Sequence, residues 1–262
     1  MNDRSEPVLL DVSERIATVT LNRPESRNAL TSDLLHLLPQ LLAAADADDR
    51  VEVIILTGAD PAFCAGLDLG ELASEGGRHL IDGPLESAGR RSRGPLPPLG
   101  KPLIGAINGP AVTGGLELAL NCDFLVASER ARFGDTHTRL GMVPAWGLSA
   151  LLPQAIGVRR AREMSFTGNF IDADEALTLG LVNHVVPHDE LIPFARRLAT
   201  DIAGNDQSAV RQLRGTYAAI THDDDAWETE ARASRAWQRT QFSPDQIAAR
   251  RAAVIERGRT RQ

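Results

Sequence analysis

Three short apolar runs constrain the fold of this chain most strongly. They are Val51–Leu56, Lys101–Asn108 and Cys122–Ala127, and each is separated from the next by a helical or glycine-rich stretch. A continuous apolar run of this length that is ended by turn residues is typical of a buried strand. Strands that alternate with helical patterns form β-α units. The sequence therefore predicts an α/β fold rather than a β-sandwich.

The N-terminal segment adds a hairpin and a helix to this pattern. Apolar and polar residues alternate over Val8–Asp11 and again over Arg15–Leu21, which predicts a β-hairpin. Leucines then recur at helical spacing over residues 30–42. We expect an amphipathic helix there, capped by Thr31 or Ser32.

The C-terminal third differs from the rest of the chain. Its apolar residues recur at helical spacing, and no run after about Gly157 has the signature of a strand. We therefore expect an appended helical layer or an oligomerisation element. The predicted helices are Ala173–Gly180, Glu190–Ala203, Ser208–Ile220, Asp225–Gln241 and Pro244–Arg257.

Between Gly70 and Gly100 the composition changes, and Gly, Pro, Ser and Arg dominate. A segment of this composition is typical of a surface insertion, and it is also suited to form a lid or one wall of a pocket. Both interpretations stay open from the sequence.

The bulk composition excludes several classes of function. Of the 262 residues, 43% are hydrophobic and 24% charged, as in a globular protein that buries a sizeable core. The net charge of −7 argues against a nucleic-acid partner, which requires a concentrated basic surface. The two cysteines, Cys64 and Cys122, lack metal-ligand spacing, so no metal site is expected. Neither a secretory signal nor an apolar run of about 18 residues is present, which predicts a cytoplasmic protein without a membrane partner.

Two glycine-bearing stretches are the strongest candidates for a functional site. The first, Phe63–Asp68 (FCAGLD), follows a strand and a loop, and we expect a short helix to begin near Leu69. A turn there would point the Leu67 N–H outward, and Gly66 would let a ligand carbonyl approach the backbone. An ordinary glycine-containing β-α turn has the same sequence signature.

The second stretch, residues 113–117 (TGGLE), opens a predicted helix with Thr113 as its cap. Glu117 then lies one position beyond the residue that completes a capping box, so its carboxylate is able to point into a cleft, ionised near the helix N-terminus. A glutamate that complements the helix dipole on a solvated face also fits this position. Together, the two stretches are suited to aim two N–H groups at one oxyanion beside an acid/base, which points to acyl-thioester chemistry.

His137 is a candidate for a second acid/base. It lies in the run FGDTHT, and if that run is extended, Asp135 and His137 share one face. A histidine beside a carboxylate is suited to proton transfer near neutrality, because its unperturbed pKa is about 6.5. A lone histidine is more often structural. Trp146 is expected either to wall a pocket or to pack in the core.

These residues at these spacings resemble the crotonase family, also called the enoyl-CoA hydratase/isomerase superfamily. The resemblance covers nearly the whole chain, from residues 21–30 (LNRPESRNAL) through both glycine-bearing stretches to Ala173–Val186 (ADEALTLGLVNHVV). It implies a spiral of β-β-α units, expected over residues 1–195. It also implies a C-terminal helical region, expected over residues 196–262, that builds trimers, often stacked into hexamers.

The resemblance further implies an acyl-CoA thioester substrate and neither a metal nor a redox cofactor, since CoA is part of the substrate. The thioester carbonyl would accept hydrogen bonds from the N–H groups of Leu67 and Gly114, which would stabilise an enolate. The remaining implied contacts with CoA and substrate are Arg27, Ala29, Ala65, Gly66, Asp68 and Leu69.

One position departs from the pattern of the hydratases in this family. Those enzymes hold a water between two glutamates; the first position falls on Glu117, but the second, twenty residues later, falls on His137. Two adjacent carboxylates repel, so one is readily protonated, whereas a glutamate and a histidine attract, which tends to keep the carboxylate ionised. We therefore expect Glu117 as the base, with His137 positioning water or passing a proton. Hydration of simple short enoyl-CoAs is then expected to be weak, or the preferred substrate to differ.

The leading interpretation is thus an enoyl-CoA hydratase with an atypical Glu/His pair. Isomerisation of the double bond is the nearest alternative, because one glutamate beside an oxyanion hole is able to shuttle a proton. Hydrolytic and decarboxylating members share the fold, so the fold alone does not select the reaction. A non-catalytic acyl-CoA-binding protein is favoured by His137 and opposed by Glu117 and both oxyanion-hole stretches.

Overall fold

The computed structural model describes residues 6–74, 94, 96–221, 224–241 and 243–260. Most of the stretch between Gly70 and Gly100, for which both a surface insertion and a pocket wall are expected, lies outside these residues. Within them, no helix is both long enough and apolar enough to cross a membrane.

Two sheets organise the described chain, and they confirm the α/β prediction. Six strands form the larger sheet, in the order β1-β2-β3-β4-β6-β9, and three form the smaller one, in the order β5-β7-β8. The strands are β1 (Val8–Ser13), β2 (Ile16–Leu21), β3 (Val53–Gly58), β4 (Leu103–Ile107), β5 (Ala111–Val112), β6 (Phe124–Ser128), β7 (Arg132–Gly134), β8 (Phe170–Asp172) and β9 (His184–Val186).

The larger sheet contains both the predicted hairpin and the three predicted buried strands. β1 and β2 pair antiparallel, whereas β2-β3, β3-β4, β4-β6 and β6-β9 are all parallel. Every residue of β3 and β4 is buried, which explains their unbroken apolar sequence. The chain that follows β3 leads into the first glycine-bearing stretch, and the chain that follows β4 leads into the second. Because β3 and β4 are parallel, both stretches lie at the same edge of the sheet.

The strands β8 and β9 correct the expectation that no strand follows Gly157. Each has three residues, which is too short for an alternating pattern to stand out beside the helices around it. β9 is the edge strand of the larger sheet, and β8 pairs antiparallel with β7. Chain beyond Gly157 therefore contributes to both sheets as well as to the helical layer.

Helices cover the sheets, and the predicted helices are confirmed. They are α1 (Ser32–Ala47), α2 (Leu69–Leu72), α3 (Gly114–Leu120), α4 (His137–Leu140), α5 (Leu148–Ile156), α6 (Val158–Thr167), α7 (Ala173–Leu179), α8 (Leu191–Ala203), α9 (Gln207–Thr221), α10 (Asp224–Gln241) and α11 (Pro244–Thr260). Thr31 caps α1, because its side chain accepts from the Leu34 N–H at 3.4 Å.

Two apolar clusters lie on either side of the larger sheet. On one side the leucines of α1, including the fully buried Leu34, Leu38 and Leu42, join the main core. On the other side Ala195 and Ala199 of α8 pack against the outer face of the parallel strands. The boundary expected at residue 195 falls inside α8, and the division into a core and a helical region stays a prediction.

The last two helices pack near the edge of the sheet where the glycine-bearing stretches lie. α10 packs on α5, and α11 contacts both α2 and α4. Residues far apart in sequence are thereby brought over the two glycine-bearing stretches.

Candidate active site

The first glycine-bearing stretch forms a turn around the Leu67 N–H, and neighbouring hydrogen bonds hold this turn in place. Leu30 N–H donates to the Gly66 carbonyl at 2.8 Å, and Asp68 N–H donates to the Leu30 carbonyl at 3.0 Å. The Leu67 N–H between these two bonds has no acceptor among the described residues. Gly66 has φ +88°, a conformation that favours glycine. The Leu67 N–H is therefore available to a ligand, and its role as an oxyanion donor stays a prediction.

The second stretch begins α3 at Gly114, where the first N–H groups of a helix lack intrahelical acceptors. Within the described chain, no acceptor is paired with the Gly114 N–H. The two stretches touch: a Cβ on Gly66 would lie 2.9 Å from the Val112 carbonyl oxygen, and one on Gly115 would overlap the Cys64 carbonyl. Glycine is required here because the two backbones approach so closely.

Thr113 does not cap α3, which corrects the expectation from sequence. It has φ +52° and ψ −113°, and its side chain makes no capping hydrogen bond. Its Oγ1 instead lies 3.3 Å from Oγ1 of Thr136. A β-branched residue in this conformation stores backbone strain beside Gly114, at a cost of about 1–3 kcal/mol.

We expect Thr113→Gly to be more stable than Thr113→Ala by about 1 kcal/mol, because both variants lose the hydroxyl and only glycine relieves the positive φ. Urea unfolding of the two variants and the unsubstituted protein measures this difference. Equal stability of the two variants would show that Thr113 is not strained.

Glu117 is buried and faces the cavity rather than solvent. Its Oε1 accepts from the N–H groups of Trp146 at 2.8 Å and Ala145 at 3.3 Å. Burial raises its pKa to about 7 and outweighs the lowering effects of His137 and the Trp146 N–H. The expectation that the helix N-terminus holds it ionised is therefore corrected: desolvation dominates, and the group is poised near neutrality, as suits a general base.

His137 is the first residue of α4, not part of an extended run, yet it meets Asp135 as expected. Its Nδ1 lies 2.7 Å from Asp135 Oδ1, which also accepts from the His137 backbone N–H at 3.1 Å. A carboxylate only accepts, so this contact places a proton on Nδ1. Nε2 then points to Glu117 Oε2, at 3.7 Å.

The charges around His137 favour its protonated form. Burial lowers its pKa, but the hydrogen bond to Asp135 and the charges of Asp135, Glu117 and Glu230 together raise it above the ordinary value. The pKa of Asp135 is lowered despite burial, because of its contacts with His137. The three side chains thus form a buried Glu–His–Asp cluster in which the hydrogen bond from Nδ1 to Asp135 orients the imidazole.

A cavity of about 440 Å³ connects these groups, within the usual range for small-molecule sites. Glu117, His137, Leu67 and Gly114 all line it, so the structure brings together the predicted acid/base residues and the predicted backbone donors. Gly66 and Asp135 are not among the residues that line it, although each is next in sequence to a residue that does. The other predicted residues that line the cavity are Arg27, Ala29, Ala65, Asp68, Leu69 and Trp146.

Asp68 and Trp146 also stabilise the wall of the cavity. The Asp68 side chain accepts from the Gly70 N–H at 2.9 Å and pairs with Arg23 at 3.2 Å, so it holds the first turn in place. The Trp146 indole lies against Gly114, close enough that an added Cβ would be 3.0 Å away. Trp146 is therefore both a buried residue and a pocket wall.

Several lining residues are missed by the sequence reasoning. They come from α4 and the loop after it, and from β7 and β8. Others come from α11, which lies more than 100 residues beyond Glu117, and no motif marks any of them. They include Arg132, Arg139, Leu140, Met142, Phe170, Arg251, Val254 and Ile255.

The fold thus brings the N–H groups of Leu67 and Gly114 and the buried Glu117–His137 pair into one cavity. The enoyl-CoA hydratase/isomerase family model matches residues 11–260, and the chain belongs to this family of enzymes.

Similar proteins agree with this assignment. A probable peroxisomal enoyl-CoA hydratase from Arabidopsis thaliana is 43% identical over 76% of this chain and 73% of that protein. The crystal structure of an enoyl-CoA hydratase from Mycobacterium tuberculosis H37Rv is 50% identical, covers 89% of this chain and 100% of its own, and has a TM-score of 0.80. The crystal structure of a monofunctional enoyl-CoA isomerase from M. smegmatis is 34% identical. It covers 86% of this chain and 99% of its own, with a TM-score of 0.68.

Proposed function

We propose that this protein is an enoyl-CoA hydratase, which adds water across the 2,3 double bond of a 2-enoyl-CoA thioester. The observation that carries the proposal is the buried Glu117–His137 pair, 3.7 Å apart, in the cavity that Leu67 and Gly114 also line. Relatives that are named as hydratases support this reaction class.

In the proposed complex, the thioester carbonyl accepts hydrogen bonds from the N–H groups of Leu67 and Gly114. The CoA arm follows the wall formed by Arg27, Ala29 and the 65–69 turn, which lines the cavity. Negative charge develops on the carbonyl oxygen as C3 is attacked, and preorganised donors stabilise it.

The proton transfers divide between the two side chains. At 3.7 Å between Nε2 and Oε2, one water is able to contact both atoms from the side. Glu117 takes a proton from this water while the water oxygen bonds to C3. The electrons of the double bond then move towards the thioester to form the enolate. His137 then supplies a proton at C2, and the Glu117 proton returns to the imidazole. The substrate is neither oxidised nor reduced, so the proposed reaction requires no redox cofactor. The two backbone N–H groups stabilise the developing charge in this mechanism, which therefore includes no metal.

The imidazole gives this site a weaker acid/base pair than two glutamates. Attraction between the ionised Glu117 and the protonated His137 stabilises the charged pair, so each group gives up its charge less readily. We expect measurable but slow hydration of crotonyl-CoA, or a higher kcat/KM on a longer 2-enoyl-CoA. Steady-state hydration of a chain-length series tests the proposal. An absence of hydration at every length would contradict it, and turnover as fast as in two-glutamate hydratases would contradict the expected cost of His137.

We also propose that the protein forms a homotrimer or a stacked homohexamer through its C-terminal helices. The outer face of α9 supports this: Leu213, Tyr217 and Ile220 are 55%, 62% and 75% exposed and follow one another at helical spacing. The proposed location is the cytoplasm, in keeping with two cysteines that form no disulfide, Cys64 and Cys122.

Charge on that face is expected to dissociate the oligomer. Tyr217→Glu should elute as a smaller species than the unsubstituted protein in size-exclusion chromatography with light scattering, because a buried unpaired carboxylate is costly at an interface. Ser208→Glu, also exposed on α9, is the control and should keep the full mass. A monomeric unsubstituted protein would contradict the proposed assembly.

A further inference from the structure

The loop between α4 and α5 is held from two sides by buried glutamates. On one side, Glu117 accepts from the Trp146 N–H at 2.8 Å. On the other side, Glu230 of α10 accepts from the Gly147 N–H through Oε1 and from the Ser149 N–H through Oε2, both at 2.5 Å. Glu230 is only 7% exposed. Its carboxylate therefore caps the N-terminus of α5, where N–H groups otherwise lack acceptors.

Packing also restricts the backbone of the same loop. Gly147 has φ +95°, and a Cβ there would overlap the indole of Trp227, which precedes Glu230 by one turn of α10. Asn121, the residue that follows α3, donates to the Trp146 carbonyl at 3.1 Å. The backbone that donates to Glu117 is thus held by side chains from the C-terminal end of α3 and from α10.

We propose that Glu230 is a positioning residue for the reaction, which fixes the backbone donors of Glu117 and acts through its negative charge on the Glu117–His137 pair. The proposal rests on the proposed function, because it assigns Glu117 and His137 their roles in hydration. Glu230 is not among the residues that line the cavity, so its effect on the reaction is indirect.

The charge of Glu230 shifts both members of the pair in the same direction. Burial is the main cause that raises the pKa of Glu117, and Glu230 adds to it, with Asp135, against the opposing effect of His137. Glu230 also raises the pKa of His137. α5 and the loop before it, residues 141–156, contain no charged residue that would offset this effect. The other charged side chains lining the cavity are Glu25, Arg27, Asp68, Arg132, Arg139 and Arg251.

Removing this charge should therefore move the whole pH profile. In Glu230→Gln, we expect kcat to fall about tenfold with KM within about twofold, and both limbs of the bell-shaped kcat profile to shift to lower pH. The acidic limb follows deprotonation of Glu117 and the alkaline limb follows deprotonation of His137, as a coupled pair. A residue that served only the fold would lower activity without moving the limbs.

Two further variants isolate charge from position. Glu230→Asp keeps the charge on a shorter side chain, so kcat should fall while the limbs stay in place. Glu228→Gln on the same helix removes an exposed carboxylate paired only with Arg235 in the described contacts, and it should match the unsubstituted protein. If the limbs of the pH profile do not shift in Glu230→Gln, the charge effect is wrong. If kcat is unchanged in Glu230→Asp, the positioning effect is wrong. The Glu230→Asp result is the deciding one if Glu230→Gln does not fold.

A measurement without substrate separates this proposal from the proposed function. In the free protein, NMR titration of the His137 ring should give a lower pKa in Glu230→Gln than in the unsubstituted protein. If the unsubstituted protein hydrates no enoyl-CoA, the proposed function fails, and this titration still decides whether Glu230 acts on the pair. An equal His137 titration in both proteins would contradict the proposal.

Discussion

Glu117→Gln is expected to lower kcat for enoyl-CoA hydration about a thousandfold while KM changes by less than about threefold. Glutamine has the same shape, and its carbonyl oxygen is still able to accept from the Trp146 N–H, so the cavity should persist. An amide cannot take a proton from water, and the reaction loses its base. Steady-state kinetics at the pH optimum measure both parameters.

The control for this substitution is Glu163→Gln, which removes an exposed carboxylate on α6 with no role in the cavity. It should retain the kcat of the unsubstituted protein. If Glu117→Gln also retained that kcat, every mechanism in which Glu117 acts as the base would fail. Calorimetric binding of a non-reacting acyl-CoA to Glu117→Gln would show that the cavity is intact.

Leu67→Pro is expected to lower kcat by about 100- to 1,000-fold, since it deletes one of the two N–H groups assigned to the oxyanion. This N–H has no acceptor in the described part of the chain, so its loss removes no internal hydrogen bond. Steady-state hydration and urea unfolding, measured together, separate lost catalysis from lost stability.

Leu67→Ala is the matched comparison, because it truncates the side chain and keeps the N–H. It should retain most of the activity. An equal loss of kcat in Leu67→Ala and Leu67→Pro would assign the effect to packing of the side chain against the substrate, and it would contradict the oxyanion role of Leu67.

The sequence predicts those parts of the fold that local patterns determine. The parallel strands β3, β4 and β6 are fully or almost fully buried, and burial on both faces requires the apolar runs that identify them. Glu117 and His137 are found because glycine-rich turns and family spacing mark the positions around them. Their 3.7 Å separation agrees with a shared role, although the catalytic assignments stay predictions.

Other features depend on contacts between distant segments and leave no local signal. The three-residue strands β8 and β9 form because neighbouring strands offer them hydrogen bonds, not because their own sequence alternates. The protonation of Glu117 depends on how completely the surrounding fold excludes water, and burial reverses the expectation based on the helix N-terminus. Glu230 lies in a helix rich in charged residues, and only the folded chain distinguishes it from exposed neighbours such as Glu228.

The most direct test of the central claim is the product formed from 2-hexenoyl-CoA in D2O, followed by NMR. Addition of water by Glu117 and His137 predicts 3-hydroxyhexanoyl-CoA with one deuterium at C2, formed about a thousandfold faster by the unsubstituted protein than by Glu117→Gln. A product with the double bond moved away from C2, or free CoA released by hydrolysis, would contradict hydration as the function of this site.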